Sequence, residues 1–256
     1  GTGCTNASAA AGDQNQGGRS WAHAVSIRLS GCERVGSGGR KRLPNPAKKI
    51  TRLKVFMSLT IDYYLAPQSP WTYFGHARFT AMARQAGATV RIKPMDLGQI
   101  FPKTGGLPVG QRSPQRQAYR LVELGRFAKH LNVPLNLHPK YFPVAGDDAA
   151  RLIIAVDQHQ GTDAAMRLAG AILSAVWAQE RNIADPAVLA ELLQELQLDA
   201  AGLQQSQAPG VQASYQAYTD EALKVGVFGA PTFVVDGELF WGQDRLEFLQ
   251  RRLQAS

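Results

Sequence analysis

The 256-residue sequence is 45% hydrophobic, enough at this length for a globular core, which excludes a wholly disordered chain. Its apolar runs are a few residues long and interrupted by charges, so no segment approaches the roughly 20 residues that span a bilayer. The net charge of +8 belongs wholly to residues 1–56, with ten Lys/Arg against two Asp/Glu, whereas residues 57–256 hold eighteen of each and offer a nucleic-acid backbone no basic surplus.

Residues 1–56 are rich in Gly, Ser, Ala and Arg and lack sustained periodicity, so they are expected to form a disordered basic leader ahead of a domain over 57–256. Upstream sequence without function, a transit peptide and a nucleic-acid tail are the three readings of this leader. The Gly clusters at 17–18 and 36–39 and Cys4 spoil an amphipathic helix, and Met57 stands where a compact domain would start, which favours the first. Both cysteines, Cys4 and Cys32, lie in the leader. The remaining 200 residues can therefore hold neither a disulfide framework nor a CxxC redox pair, and any thiol chemistry there must use a thiol supplied by a ligand.

From Leu59 the pattern becomes regular. Leu59–Leu65 reads as a strand broken by Ala66-Pro67-Gln68, and Ser69-Pro70 then opens a helix, Ser as N-cap and Pro at the first helical position, that stops at Gly87. Thr89–Met95 is a second strand, so this start is a βαβ unit with parallel strands. A loop containing Gly105, Gly106 and Pro108 leads to a second Ser-Pro cap, Ser113-Pro114, and a helix to about Leu131. Helices are expected over 149–158, 163–179 and 185–196, within a helical insertion covering about 112–226. Ala230–Val235 and Glu238–Trp241 flank Asp236-Gly237, a strong hairpin signal, and Leu246, Leu249 and Leu253 mark one face of a last helix. A βαβ start and a ββα finish around a helical insertion make an α/β protein of the thioredoxin-like layout.

Two segments could carry chemistry. Ser69 taken alone is a helix cap. The same geometry also places its hydroxyl beside unpaired N–H groups and the positive end of the helix dipole, where a thiolate is stabilised. Gly229-Ala230-Pro231-Thr232 reads as an ordinary turn into a strand, yet the thioredoxin layout has a cis-proline in this slot that presents the preceding backbone to a ligand.

Ser69-Pro70-Trp71-Thr72-Tyr73, the helix with Arg116 and Tyr119, Ala175-Val176-Trp177 ahead of Asp185-Pro186, Phe228 to Thr232, and Trp241 to Leu246 occur in an order that resembles 2-hydroxychromene-2-carboxylate isomerases. The pattern is also similar to kappa-class glutathione transferases. The resemblance covers 59 to about 253 and implies a glutathione-dependent cis/trans isomerase of an aromatic pyruvate, acting by reversible thiolate addition. It implies that Ser69 hydrogen-bonds the glutathione sulfur and that Ala230, before Pro231, pairs its backbone with the cysteinyl part. Gln243 and Asp244 would hold the γ-glutamyl end, and Arg116 would face the ligand where the family commonly has lysine. Trp71, Tyr73 and Trp241 would line the substrate pocket, although the tryptophans also suit a core. The expected partners are glutathione and a small aromatic substrate, with no nucleic acid and no membrane, in a cytoplasmic enzyme for which a homodimer is one compatible assembly.

Two departures stand out. Ala66-Pro67 replaces an acidic-aromatic pair common before the family serine, which leaves the substrate open, and Arg116 replaces a point charge by a planar fork. A conjugating or peroxide-reducing glutathione transferase, or a non-catalytic glutathione- or peptide-binding module, would share the glutathione contacts. His76, His130, His138 and His159 have no metal-ligand spacing, and no Gly-rich loop follows a strand, so neither metal nor nucleotide is expected.

Overall fold

The computed structural model describes residues 59–255. The leader expected over 1–56, with both cysteines, lies outside them. Four strands form one sheet in the order β2-β1-β3-β4, with β1 Thr60–Leu65, β2 Thr89–Pro94, β3 Thr232–Val235 and β4 Glu238–Trp241. β1 runs parallel to β2 and antiparallel to β3, with Tyr63 beside Ile92 on one side and Phe233 on the other. Strands from the two ends of the described residues thus meet at the centre of the sheet.

The centre of the sheet is covered on both faces. Ile61, Tyr63, Leu65, Phe233 and Val235 face the helices α1 (Pro70–Ala86) and α9 (Leu246–Gln254), within the larger core. Tyr63 and Phe233 stack at 5.1 Å, and Phe79 of α1 lies 4.6 and 4.5 Å from them. Tyr64 and Val234 face the opposite way, packing with Ile100 of α2 (Leu97–Thr104) and Ala222 of α8 (Pro209–Lys224). Burial on both faces explains why β1 and β3 read as nearly continuous apolar runs.

The remaining helices are α3 (Pro114–Leu131), α4 (Asp147–Gln160), α5 (Thr162–Trp177), α6 (Pro186–Glu195) and α7 (Gly202–Gln205). α4 buries Leu152, Ile153 and Val156 toward the main core and Ala150, Ile154 and Ala155 toward Val211 and Tyr215 of α8. α4, α5 and α8 all reach β2, so helices shelter that edge strand.

Local signals locate most boundaries. Ser69, Ser113 and Asp185 each cap a helix through the side chain with Pro behind, and α1 ends at Gly87 with φ 61°. The expected loop between β2 and α3 instead contains α2, capped by Asp96; Pro102 inside its eight residues hid it. α5 ends at Trp177 rather than 179, and β3 begins at Thr232 rather than 230. Asp236 and Gly237, at φ 49° and 82°, form the expected tight hairpin turn.

Candidate active site

The N-terminus of α1 and the turn before β3 come together at one end of the sheet. Ser69, 6% exposed, caps α1: its Oγ accepts the Thr72 N–H at 3.2 Å. The same hydroxyl donates to the Ala230 carbonyl oxygen at 3.4 Å. The Ala230–Pro231 peptide bond is cis, as the thioredoxin layout suggests. No Asp or Glu lies in the first turn of α1, so no carboxylate of that turn offsets the partial positive charge there.

A third segment closes on these two. The Pro231 carbonyl accepts the Gly242 N–H at 2.8 Å, and a 3-10 turn over Gln243–Arg245 leads into α9. Gln243 is 2% exposed, and its Oε1 and main-chain oxygen accept from Arg78 Nη1 at 3.0 and 3.3 Å. Its Nε2 is buried and has no partner among the described residues. Asp244 keeps 47% of its side chain exposed and pairs with Arg245 at 2.6 Å.

Two positioning residues escaped the sequence reading. Arg78 fixes Gln243, and only its place in the third turn of α1 would have pointed to it. At Gly75 a β-carbon would stand 3.0 Å from Gln243 Cβ and 3.6 Å from Pro231 Cγ, so its lack of a side chain lets α1, the cis-proline turn and the 3-10 turn converge.

The other expected site residues are more dispersed. Trp241, 49% exposed, lies 4.5 Å from Phe228 and forms an aromatic rim beside the Ala230 turn. Trp71 is partly buried against Phe74 and Phe127 at 6.1 and 5.8 Å, in a packing position. Tyr73 donates its hydroxyl to the Pro134 carbonyl at 2.7 Å. Arg116 is exposed in the first turn of α3, its backbone N–H donating to the Ser113 cap. Two cavities, of about 400 Å3 at the β2 edge and about 760 Å3 between α1 and α5, lie apart from Ser69. Among the described residues no group of His, Cys, Asp and Glu is placed to hold a metal ion, and no helix is long and apolar enough to cross a membrane.

Residues 60–254, which carry this sheet, the capped α1 and the cis-proline turn, match the family model of the DSBA-like thioredoxin domain. The chain belongs to that family. The chain is 29% identical over 199 residues to the 2-hydroxychromene-2-carboxylate isomerase of Sphingobium xenophagum, covering 77% of this chain and 99% of that one. A solved 2-hydroxychromene-2-carboxylate isomerase shares the fold at a TM-score of 0.63 and 23% identity, over 77% of this chain and 95% of that one. The cytosolic disulfide reductase DsbM from Pseudomonas aeruginosa does so at 0.57 and 22%, over 77% and 100%. This DSBA-like domain differs from a dithiol enzyme in having Ser69 at its helix cap and no cysteine after Cys32.

Proposed function

We propose that this protein is a glutathione-dependent isomerase acting on 2-hydroxychromene-2-carboxylate or a closely related aromatic pyruvate. The observation that carries the reading is the contact between the Ser69 hydroxyl and the Ala230 carbonyl. Both groups are buried, and the one proton of the hydroxyl is committed to the carbonyl. A ligand bearing a sulfur beside a peptide N–H would satisfy the two at once, the hydroxyl turning to donate to the sulfur while the carbonyl accepts the N–H. A cysteinyl residue within a peptide has this combination, and glutathione is the peptide thiol that a cysteine-free site can borrow.

Further residues fit the same ligand. The uncompensated N-terminus of α1 favours the thiolate over the thiol, whose free pKa of about 8.5 leaves only a few per cent ionised near neutrality. Asp244, half-exposed at the start of the last helical segment, can exchange Arg245 for a ligand ammonium. Gln243, clamped by Arg78, offers a buried amide N–H that has no partner. Bound glutathione would supply a nucleophile that adds reversibly to a conjugated carbon, so that a double bond can rotate before elimination restores it. The chain's part is to hold and ionise the sulfur, and to keep the substrate's plane against an apolar wall such as the Phe228–Trp241 rim.

The isomerase relative supports the substrate class, and the missing cysteines exclude dithiol exchange within the domain. The test is spectrophotometric turnover of 2-hydroxychromene-2-carboxylate with and without glutathione, beside a standard electrophile. Turnover of the chromene only with glutathione is expected. Conjugation of the electrophile without chromene turnover would make the protein a transferase, and no glutathione binding at millimolar concentration would end the reading altogether.

A further inference from the structure

The apolar face of α3 carries a charge. Leu124, Phe127 and Leu131 form a stripe toward the core, and Arg120 occupies the position one turn before them, 9% exposed. Its guanidinium lies over the rings of Phe142 and Trp177, at 5.2 and 5.7 Å from their centroids. No carboxylate or carbonyl among the described residues accepts a hydrogen bond from it, and Nη2 is fully buried without a partner. The charged group that bears on it, Arg112, has the same sign. Burial, then Arg112, lowers its pKa to about 10, so it remains a cation at neutral pH.

A buried cation without a counter-charge is costly, and proteins seldom keep one unless it is paired or serves a ligand. Its surroundings connect it to the proposed site. Trp177, the ring beneath it, donates its indole N–H to the Gln68 carbonyl at 3.3 Å, and Gln68 directly precedes Ser69. The side-chain oxygen of Gln68 is itself buried and unpartnered, against Gly146 in the segment that also supplies Phe142. A buried donor and a buried acceptor, each without a partner among the described residues, and two aromatic rings in contact at 4.8 Å therefore lie along the path from Arg120 to the Ser69 end of α1.

We infer that Arg120 binds the carboxylate of the substrate, with Gln68 accepting from a neighbouring hydroxyl and the partly buried Phe142, itself backed by Trp177, against the conjugated ring. The assignment rests on the proposed function for the identity of the substrate, but its chemistry is that of any aromatic 2-hydroxy carboxylate. A planar guanidinium matches a carboxylate with two parallel hydrogen bonds, which a lysine at this position would not.

Glutathione also carries carboxylates, so the experiment separates the two sources. Calorimetry on the full chain compares mandelate, an aromatic 2-hydroxy carboxylate, with its uncharged methyl ester, and titrates glutathione separately. Wild-type protein is expected to bind mandelate at least tenfold tighter than the ester. Arg120→Met should abolish that preference while glutathione affinity stays within about twofold, and Arg120→Lys should keep part of it. An equal loss for acid and ester would mark Arg120 as structural. That result, an unchanged preference, no preference in the wild type, or a loss confined to glutathione would each overturn the assignment. If Arg120→Met does not fold, the Arg120 Nε–H resonance in arginine-labelled wild-type protein replaces it; the resonance should move with mandelate and not with the ester, and its failure to move would overturn the proposal. Because mandelate binding needs no turnover, an inactive protein would refute the isomerase reading without touching this one.

Discussion

Ser69 and Ala230, 161 residues apart, share a hydrogen bond in which the only proton of the serine hydroxyl points at the alanine carbonyl. That hydroxyl also accepts the Thr72 N–H, so the cap and the proposed catalytic role would use different parts of one group. Ser69→Ala should lower stability by about 1 kcal/mol through the lost cap. It should also raise the pKa of bound glutathione and reduce turnover at neutral pH, with partial recovery as pH rises. Thiolate absorbance of the complex followed against pH in both proteins separates the roles, because a cap has no reason to move that titration. Coincident curves with equal turnover would leave Ser69 a cap alone.

Asp244 is expected to act on affinity rather than chemistry. A hydrogen bond to a charged group contributes roughly 1.5–3 kcal/mol. Half-exposure and the competing Arg245 place Asp244 at the lower end, so Asp244→Asn should raise the Michaelis constant for glutathione about tenfold and leave kcat nearly unchanged. An unchanged constant would remove Asp244 from the site.

His76 makes stability depend on pH. Its ring lies between the Tyr63 hydroxyl at 3.1 Å and the Met166 carbonyl at 2.9 Å, and burial lowers its pKa to about 4. The carbonyl can only accept, so Nε2 carries the proton and Nδ1 accepts from Tyr63 in the neutral ring. The unfolded chain, with a histidine pKa near 6.5, takes up this proton first. The stabilisation is therefore complete above about pH 6.5 and is lost as pH falls toward 4, by about 2 kcal/mol at pH 5. Urea unfolding at pH 7, 6 and 5 should show this slope, and His76→Gln should flatten it. A variant with the same slope as wild type would assign the acid lability elsewhere.

Gly75→Ala sets two effects against each other. Alanine in a helix interior gains about 1 kcal/mol over glycine. Its β-carbon would press on Gln243 and Pro231, with a nearest approach of 3.0 Å. Melting should shift little as the two offset, whereas glutathione affinity should fall severalfold because the crowded atoms belong to the site. Calorimetry beside thermal denaturation checks both, and unchanged affinity would show that the two turns yield without distorting the ligand contacts.

How much of this could be read from the sequence depended on whether the signal was local. Ser69-Pro70, Ser113-Pro114, Asp185-Pro186 and Asp236-Gly237 carry their reasons within a few residues, and the structure places each as expected. α8 starts at Ala208-Pro209 without a side-chain cap and was not resolved within the helical insertion, and α2 was hidden by its internal proline. Ser69 and the turn at Ala230 were legible because family resemblance joined two segments that spacing alone leaves apart. Arg78 and Arg120 were not, since an arginine on a helix looks alike whether its partner is water, a buried amide or two aromatic rings.

Between β2 and β3 the chain makes a long helical excursion and returns to its sheet, while Ser69 and Ala230 are held by the neighbouring strands β1 and β3. Those two parts can therefore change at different rates. Helices can be lengthened, trimmed or repacked along the excursion without altering the separation of the hydroxyl and the carbonyl. Residues that it contributes, Arg120 among them, can be exchanged on a frame that stays as it is. Divergence in what the protein acts upon would then accumulate in the middle of the chain, and the means of acting would persist at its two ends.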